Sequence, residues 1–467
     1  MKHELIHSEN SPRLLLIFAG WGMDADVFRD IRRPGYDVMV VWDYRSFFID
    51  WSCTASYTEI CLLAWSMGVF AASQTIQAID YKTTRRIAVN GTLQPVDDML
   101  GIPEAIFNGT LAGLSEASVA KFNRRMCASR DDFDVFRLHQ PSRPVDELRE
   151  ELQAIADRLI LHTPSQIRWD MAVVGREDRI FPAANQRRSW QQSDVPVELV
   201  DRGHYFDFQG LIDRHFIDKH LVGERFSAGT STYTSNATVQ VEVVERLGMM
   251  LRDNGIIREL GQSPNAVLEI GCGSGILSRA VASMISDARM VMWDLAAPIP
   301  EGLPLGRKYE FSNCDAELAI ACVAPESFDH IFSASTMQWF NSPEKFLSNC
   351  HRALKPGGYA ILTTYTSGNL HQIQEITGNG LPLLSADRWT ELAARHFTVV
   401  DRLAYERDLD FETPLEVLRH LKLTGVNSLG RSSRGNVDAR EVMRRYPMML
   451  DGRYHLTYRP LILILKK

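Results

Sequence analysis

The chain has 467 residues, with 51 Lys and Arg against 58 Asp and Glu and a formal net charge of −7. That length exceeds one ordinary core and implies two domains of about 200 to 250 residues, while mild acidity without a basic block argues against a nucleic-acid partner. Seven cysteines in no metal-type spacing, an N-terminus (MKHELIHSENSP) without an apolar core, and no apolar run near the roughly 18 residues of a membrane span predict a reduced, soluble, cytoplasmic protein with no metal site and no membrane partner.

In the N-terminal half, residues 14–18 (LLLIF) read as a short strand running into Ala19-Gly20-Trp21-Gly22-Met23. Residues 37–41 (DVMVV) and 60–64 (ICLLA) are two more strands, and the latter leads through Trp65-Ser66-Met67-Gly68 into a helix. Ser66 therefore falls on a strand-to-helix turn, where a sharp bend exposes a hydroxyl and small neighbours avoid a clash. Ala64 stands where G-x-S-x-G has its first glycine, and alanine is still small. After a strand at 86–90, the strand at 171–174 (MAVV) is followed by a loop carrying Asp178. The strand at 197–200 (VELV) is followed by Asp201-Arg202-Gly203-His204.

Ser, Asp and His, each just after a strand and in that order, follow the α/β-hydrolase order. The pattern predicts Ser66 as nucleophile, His204 as its base and Asp178 as the group that fixes the imidazole tautomer. The main-chain N–H groups of Met67 and Trp21 are the expected oxyanion donors. Residues 91–169, with amphipathic helices expected at 115–126 and 145–161, read as a cap. Its Arg124, Arg125, Arg130 and Arg143 are either solvated or a dock for an acidic carrier protein. AGWGM, AWSMGV, NGTLQPVDD, GIP and DRGHYFDF resemble the pimeloyl-[acyl-carrier-protein] methyl ester esterases of biotin synthesis, the BioG type, over roughly residues 10–215. The resemblance implies ester hydrolysis by Ser66, Asp178 and His204.

The domain boundary is expected near residue 220, giving domains 1–220 and 221–467. A helix is expected from about residue 237 to 253, preceded by RFSAGTSTYTSNATVQ, whose Tyr233 is a candidate lid and orienting residue. Residues 267–278 (VLEIGCGSGILS) read as strand, tight turn and helix start, with Glu269 at the strand end and Gly271, Gly273 and Gly275 in the turn. The dinucleotide fingerprint G-x-G-x-x-G is not matched, because the glycines fall at every second residue. E-x-G-x-G-x-G instead resembles the first motif of the class I S-adenosylmethionine (SAM) methyltransferases. A second strand at 289–293 ends at Asp294, suited to ribose hydroxyls. Asp315, with Ala316 beside it, is placed for the adenine amino group. Further strands are expected at 328–333, 359–364, 397–401 and 460–465.

RFSAGTSTYTSNATVQ, SASTMQWF, SGNLHQI and LRHLKLTGVN resemble the malonyl-[acyl-carrier-protein] O-methyltransferases, the BioC type, over roughly residues 222–467. The resemblance implies SAM-dependent methylation of the free carboxylate of a malonyl thioester, with acyl carrier protein as partner to both halves. The whole chain is thus expected to be a two-domain α/β protein: an α/β-hydrolase fold with a helical cap, then a Rossmann-like class I methyltransferase fold. Two alternatives stay open: a hydrolase fused to a methyltransferase of another small molecule such as a quinone precursor, and a non-enzymatic SAM-sensing scaffold.

Overall fold

The computed structural model describes residues 1–161, 167–261, 266–285, 287–300, 302–303, 306, 308–378, 380–424 and 439–467, with the backbone alone at 228–235. It divides into two compact units, Met1–Ile212 and Asp213–Lys467.

The first unit is built on seven strands: β1 (Lys2–His7), β2 (Arg13–Phe18), β3 (Asp37–Trp42), β4 (Glu59–Trp65), β5 (Thr83–Val89), β6 (Met171–Gly175) and β7 (Val197–Val200). Their order in the sheet is β1-β3-β2-β4-β5-β6-β7. Only β1 runs antiparallel to its neighbour. The central strands are continuous apolar runs because both faces are covered; Leu14 to Phe18 and Ile60 to Trp65 are fully buried. β1 carries Lys2, His3, Glu4 and His7 and is not fully buried at any position, as suits an edge strand. The helices are α1 (Met67–Thr75), α2 (Glu104–Ala112), α3 (Glu116–Met126), α4 (Arg130–Leu138), α5 (Val145–Ile160), α6 (Ala183–Gln192) and α7 (Phe208–His215). Helices α2 to α5 form the cap segment between β5 and β6. Reciprocal Ser115–Ser118 and Ser129–Asp132 capping boxes start α3 and α4.

The second unit opens with helices, not with loop. α8 (Lys219–Asn236) runs to a break at Ala237, and α9 (Thr238–Asp253) and α10 (Ile256–Leu260) follow. The compact unit begins at Asp213, earlier than residue 220, because Ile217 and Lys219 make their hydrogen bonds to Asn341, Asp315 and Glu317. The strands are β8 (Ala266–Ile270), β9 (Arg289–Asp294), β10 (Tyr309–Asn313), β11 (Phe328–Ser333), β12 (Leu354–Tyr365), β13 (Thr398–Ala404), β14 (Arg407–Phe411), β15 (Tyr454–Tyr458) and β16 (Pro460–Lys466). The main sheet has the order β10-β9-β8-β11-β12-β16-β13, with β16 antiparallel to both neighbours. β14 and β15 pair as a separate ribbon. Helices α11 (Ile276–Met284), α12 (Ala316–Cys322), α13 (Pro343–Ala353), α14 (His371–Thr377), α15 (Ala386–Ala394), α16 (Pro414–Leu423) and α17 (Ala439–Arg445) complete the unit. Among the described residues no helix is long and apolar enough to cross a membrane, and no cluster of His, Cys, Asp or Glu could hold a metal.

Candidate active sites

In the first unit the turn between β4 and α1 puts Ser66 at φ 60°, ψ −128°, a conformation side chains rarely adopt. Crowding around the turn enforces it. A Cβ at Gly68 would lie 2.5 Å from the carbonyl oxygens of Phe18 and Ala19, and one at Gly91 would collide with the Ser66 carbonyl. Ala64 sits fully buried in β4 between Phe18 and Ala88, so its methyl is accommodated in the sheet core.

Ser66, His204 and Asp178 come together from three separate strand ends. His204 Nε2 is 2.9 Å from Ser66 Oγ, and His204 Nδ1 is 2.9 Å from Asp178 Oδ2. All three are buried, His204 almost completely. The Asp178 carboxylate also accepts from the Ile180 and Phe181 main chains (2.8 and 2.9 Å) and from Gln186 Nε2 (3.0 Å). The imidazole stacks on Phe181, ring planes 4° apart, with Trp65 at its other side. Its backbone is held as well: Asn90 Nδ2 donates to the carbonyls of Gly203 and His204 (both 2.9 Å), while Asn90 Oδ1 accepts from Gly175 N–H (2.7 Å). The sequence marks Asn90 only as a strand residue; the structure places it just past β5 at φ 46°, a role that no local sequence signal reveals.

A small cavity of about 50 Å³ lies over Ser66. Trp21 and Met67 line it, with Ile102, Phe107, Phe122 and Leu152 forming apolar walls and Arg125 and Arg179 at its edge. Among the described hydrogen bonds, the main-chain N–H groups of Trp21 and Met67 have no acceptor. Arg124, Arg125 and Arg130 are exposed. Arg143 is not: its guanidinium is 2.7 Å from Glu151 and 3.5 Å from Asp43, with 6% of its side chain accessible. The expectation of Arg143 as a docking or solvated residue is thereby corrected, since a buried carboxylate at position 151 requires a cation.

In the second unit the loop after β8 carries Gly271, Gly273 and Gly275 at φ +74°, +51° and +82°. At Gly271 the need is steric as well, because a Cβ would collide with the Thr336 side chain. Gly271 and Gly273 line a cavity of about 130 Å³ together with Asp294, Asp315 and Ala316, and Phe226, Trp339 and Phe340 form its aromatic wall. Gly275 and Glu269 do not line it. Gly275 is the left-handed residue that starts α11. Glu269 lies fully buried under the loop, with the Ser278 hydroxyl as its polar neighbour. Burial pushes its carboxyl up to about 7.

Asp294 ties the loop to β9. One oxygen accepts from Gly273 N–H (2.8 Å), the other from Ala296 and Ala297 N–H (3.0 and 2.8 Å). Asp315 caps α12, but its carboxylate also meets Lys219 Nζ at 2.8 and 2.9 Å. Lys219 further contacts Glu317 (2.5 Å), which accepts from the Asn341 and Ser342 main chains. Burial pushes the Glu317 carboxyl up, and Lys219 opposes it. Lys219 had no sequence signal, because nothing in its local pattern separates it from a surface lysine. The Tyr233 side chain lies outside the described residues.

Residues 1–212 match the family described as "Pimeloyl-ACP methyl esterase BioG", and residues 268–362 match one described as "Methyltransferase domain". A malonyl-[acyl-carrier protein] O-methyltransferase of Bacteroides fragilis (strain 638R) is 35% identical over 461 residues, 97% of this chain and 92% of that protein. One from Chlorobium phaeovibrioides is 33% identical over 256 residues, 54% of this chain and 97% of that one. The crystal structure of BioG from Haemophilus influenzae is 36% identical with a TM-score of 0.41, covering 44% of this chain and 94% of that one. With an esterase-type domain of the BioG family ahead of its methyltransferase domain, the chain belongs to the malonyl-[acyl-carrier protein] O-methyltransferase family.

Proposed function

We propose that the chain both makes and removes a methyl ester on an acyl carrier protein. Residues 221–467, with the helical lead-in from Asp213, methylate the free carboxylate of malonyl-[acyl carrier protein] with SAM. Residues up to 220 hydrolyse pimeloyl-[acyl carrier protein] methyl ester to the acid and methanol. The observation that carries the reading is the Ser66–His204–Asp178 chain of 2.9 Å contacts in a polypeptide of a methyltransferase family.

For hydrolysis, Ser66 Oγ adds to the ester carbonyl as His204 Nε2 takes its proton. The electron pair moves onto the carbonyl oxygen, which meets the N–H groups of Met67 and Trp21. Collapse breaks the bond to methanol, which leaves with the proton from His204. Water then adds to the acyl-serine by the same steps, releasing the acid and restoring Ser66. Asp178 holds the tautomer throughout and stabilises the imidazolium.

The second cavity suits a nucleoside: a wall of side-chain-free backbone at Gly271 and Gly273, carboxylates at Asp294 and Asp315, and the Trp339 and Phe340 rings. These residues and Ala316 would hold SAM, which when bound supplies an electrophilic methyl group. A malonyl carboxylate is ionised at neutral pH and needs no base. The work of the chain is to orient it and exclude water, with Tyr233 of α8 in the closing role. The exposed Arg124, Arg125 and Arg130 of the cap are offered to the acidic carrier.

Mass spectrometry of the carrier tests both halves. With SAM and malonyl carrier, a gain of one methyl is expected; with pimeloyl methyl ester carrier, the wild type is expected to remove one and Ser66→Ala to leave it. No methyl gain on malonyl carrier, alongside methylation of a quinone precursor, would reject the reading.

A further inference from the structure

The cap helix α5 sends one carboxylate into the body of the hydrolase unit, and the triad does not use it. Glu151 is completely buried. Its Oε1 accepts from Tyr44 N–H at 2.8 Å, and its Oε2 accepts from Gly22 N–H at 3.2 Å and from Arg143 Nη1 at 2.7 Å. One turn earlier on α5, the Leu148 carbonyl accepts from Trp21 Nε1 at 2.9 Å. Tyr44, held by Glu151, in turn donates its hydroxyl to the Ala19 carbonyl at 2.6 Å. The loop Ala19 to Met23 is therefore fastened at the Ala19 carbonyl, the Trp21 indole and the Gly22 N–H. Its middle residue, Trp21, lines the Ser66 cavity, and its main-chain N–H has no acceptor among the described hydrogen bonds.

We propose that Glu151 is a positioning residue for the oxyanion site: by fixing the Trp21–Gly22 peptide it holds Trp21 Cα in place, and with the Trp21 indole and the Ala19 carbonyl also tied this confines the adjoining Gly20–Trp21 peptide, whose N–H is the oxyanion donor. The inference rests on the esterase reading above. The chemistry favours a carboxylate over a neutral acceptor. Three donors converge on it, and hydrogen bonds to an ionised acceptor are shorter and stronger than neutral ones. Arg143 keeps the buried charge compensated and also reaches the Met23 carbonyl at 3.3 Å, so the ion pair holds the adjoining Gly22 and Met23. Gly22 has φ +76°, a conformation that a free loop of this sequence would hold only part of the time. A consequence is that the cap and the oxyanion site move as one piece.

The test uses the full chain with p-nitrophenyl butyrate as substrate and an aliphatic trifluoromethyl ketone as the tetrahedral-adduct analogue. Glu151→Gln keeps the size but turns an NH2 group toward a donor, so one contact is lost. Glu151→Asp keeps the charge but shortens the reach. Each is expected to lower kcat about 10- to 100-fold with KM within about twofold, and to weaken the ketone by the same factor as kcat. Should Glu151→Gln not fold, Glu151→Asp carries the decision. Wild-type kcat and ketone affinity in either folded variant would overturn the role. So would a loss confined to melting temperature, with kcat per folded molecule unchanged. A wild-type chain that cleaves p-nitrophenyl butyrate but not the carrier-bound pimeloyl ester would reject the proposed substrate and leave the Glu151 test intact.

Discussion

Replacing Asn90 by alanine removes the partner of Gly175 N–H and of the Gly203 and His204 carbonyls in a site that is 1% exposed. Each buried group left without a partner costs roughly 1–3 kcal/mol, so Asn90→Ala is expected to destabilise the hydrolase unit by on the order of 3 kcal/mol, read by denaturant unfolding. Ester hydrolysis should fall with it, because the His204 backbone is released; an unchanged midpoint would show that water replaces the amide. Glu269 offers a pH test. Its carboxyl is raised from 4.5 to about 7 in the folded chain. Its contribution is therefore full below about pH 4.5 and is lost as the pH rises through about 7. His330 is lowered by burial from 6.5 to about 4, so its contribution is full above about 6.5 and lost as the pH falls through about 4. The two slopes oppose one another in the wild type, and variants are needed to expose them. Glu269→Gln is expected to gain on the wild type by on the order of 3 kcal/mol between pH 4.5 and 7, followed by thermal melts; a parallel pH profile would contradict it. At this scale the strand-end residues Ser66, Asp178 and His204 were legible, because each follows an apolar run at a turn. Asn90 and Glu151 were not. Their roles depend on which strand ends and loops meet, and that is a matter of sheet order.

α8 shows how an element can carry more than its pattern suggests. Its 219–236 stretch lacks an apolar stripe, so the sequence offered a candidate lid at Tyr233 but no helix there, yet Lys219 in its first turn anchors it between Asp315 and Glu317. Removing one partner of a buried ion pair leaves uncompensated charge, typically at about 3–5 kcal/mol. Lys219→Met is expected to destabilise the methyltransferase unit by that order and to weaken SAM binding measured by calorimetry. The destabilisation should ease as the pH is lowered, since Glu317, already raised by burial, takes up a proton. SAM affinity and stability equal to wild type would show that the lysine is dispensable. The parallel strands were readable as apolar runs except β10, whose YEFSN is half exposed. β1 and the β14–β15 ribbon were not, because RDLDF alternates with half-exposed positions and resembles a loop until its partner strand is placed. The charged helix α4 was missed for the related reason that only Phe136 on it is fully buried.

On the proposed function, the chain joins two α/β units that would undo one another's chemistry if they shared a substrate. The apolar walls over Ser66, Ile102, Phe107, Phe122 and Leu152 among them, favour a long methylene chain. Four additional methylenes at about 0.8 kcal/mol each correspond to roughly 200-fold. Pimeloyl methyl ester carrier is therefore expected to be hydrolysed about two orders of magnitude faster than malonyl methyl ester carrier, measured as kcat/KM; equal rates would remove chain length as the discriminator. The division at Ile212–Asp213 within a single polypeptide has a consequence for dosage. Every ribosome that finishes this chain delivers one copy of each unit, so promoter strength cannot raise one above the other. On the proposed function, whatever keeps ester formation and ester removal apart must then be written into molecular recognition and not into the relative amounts of the two units.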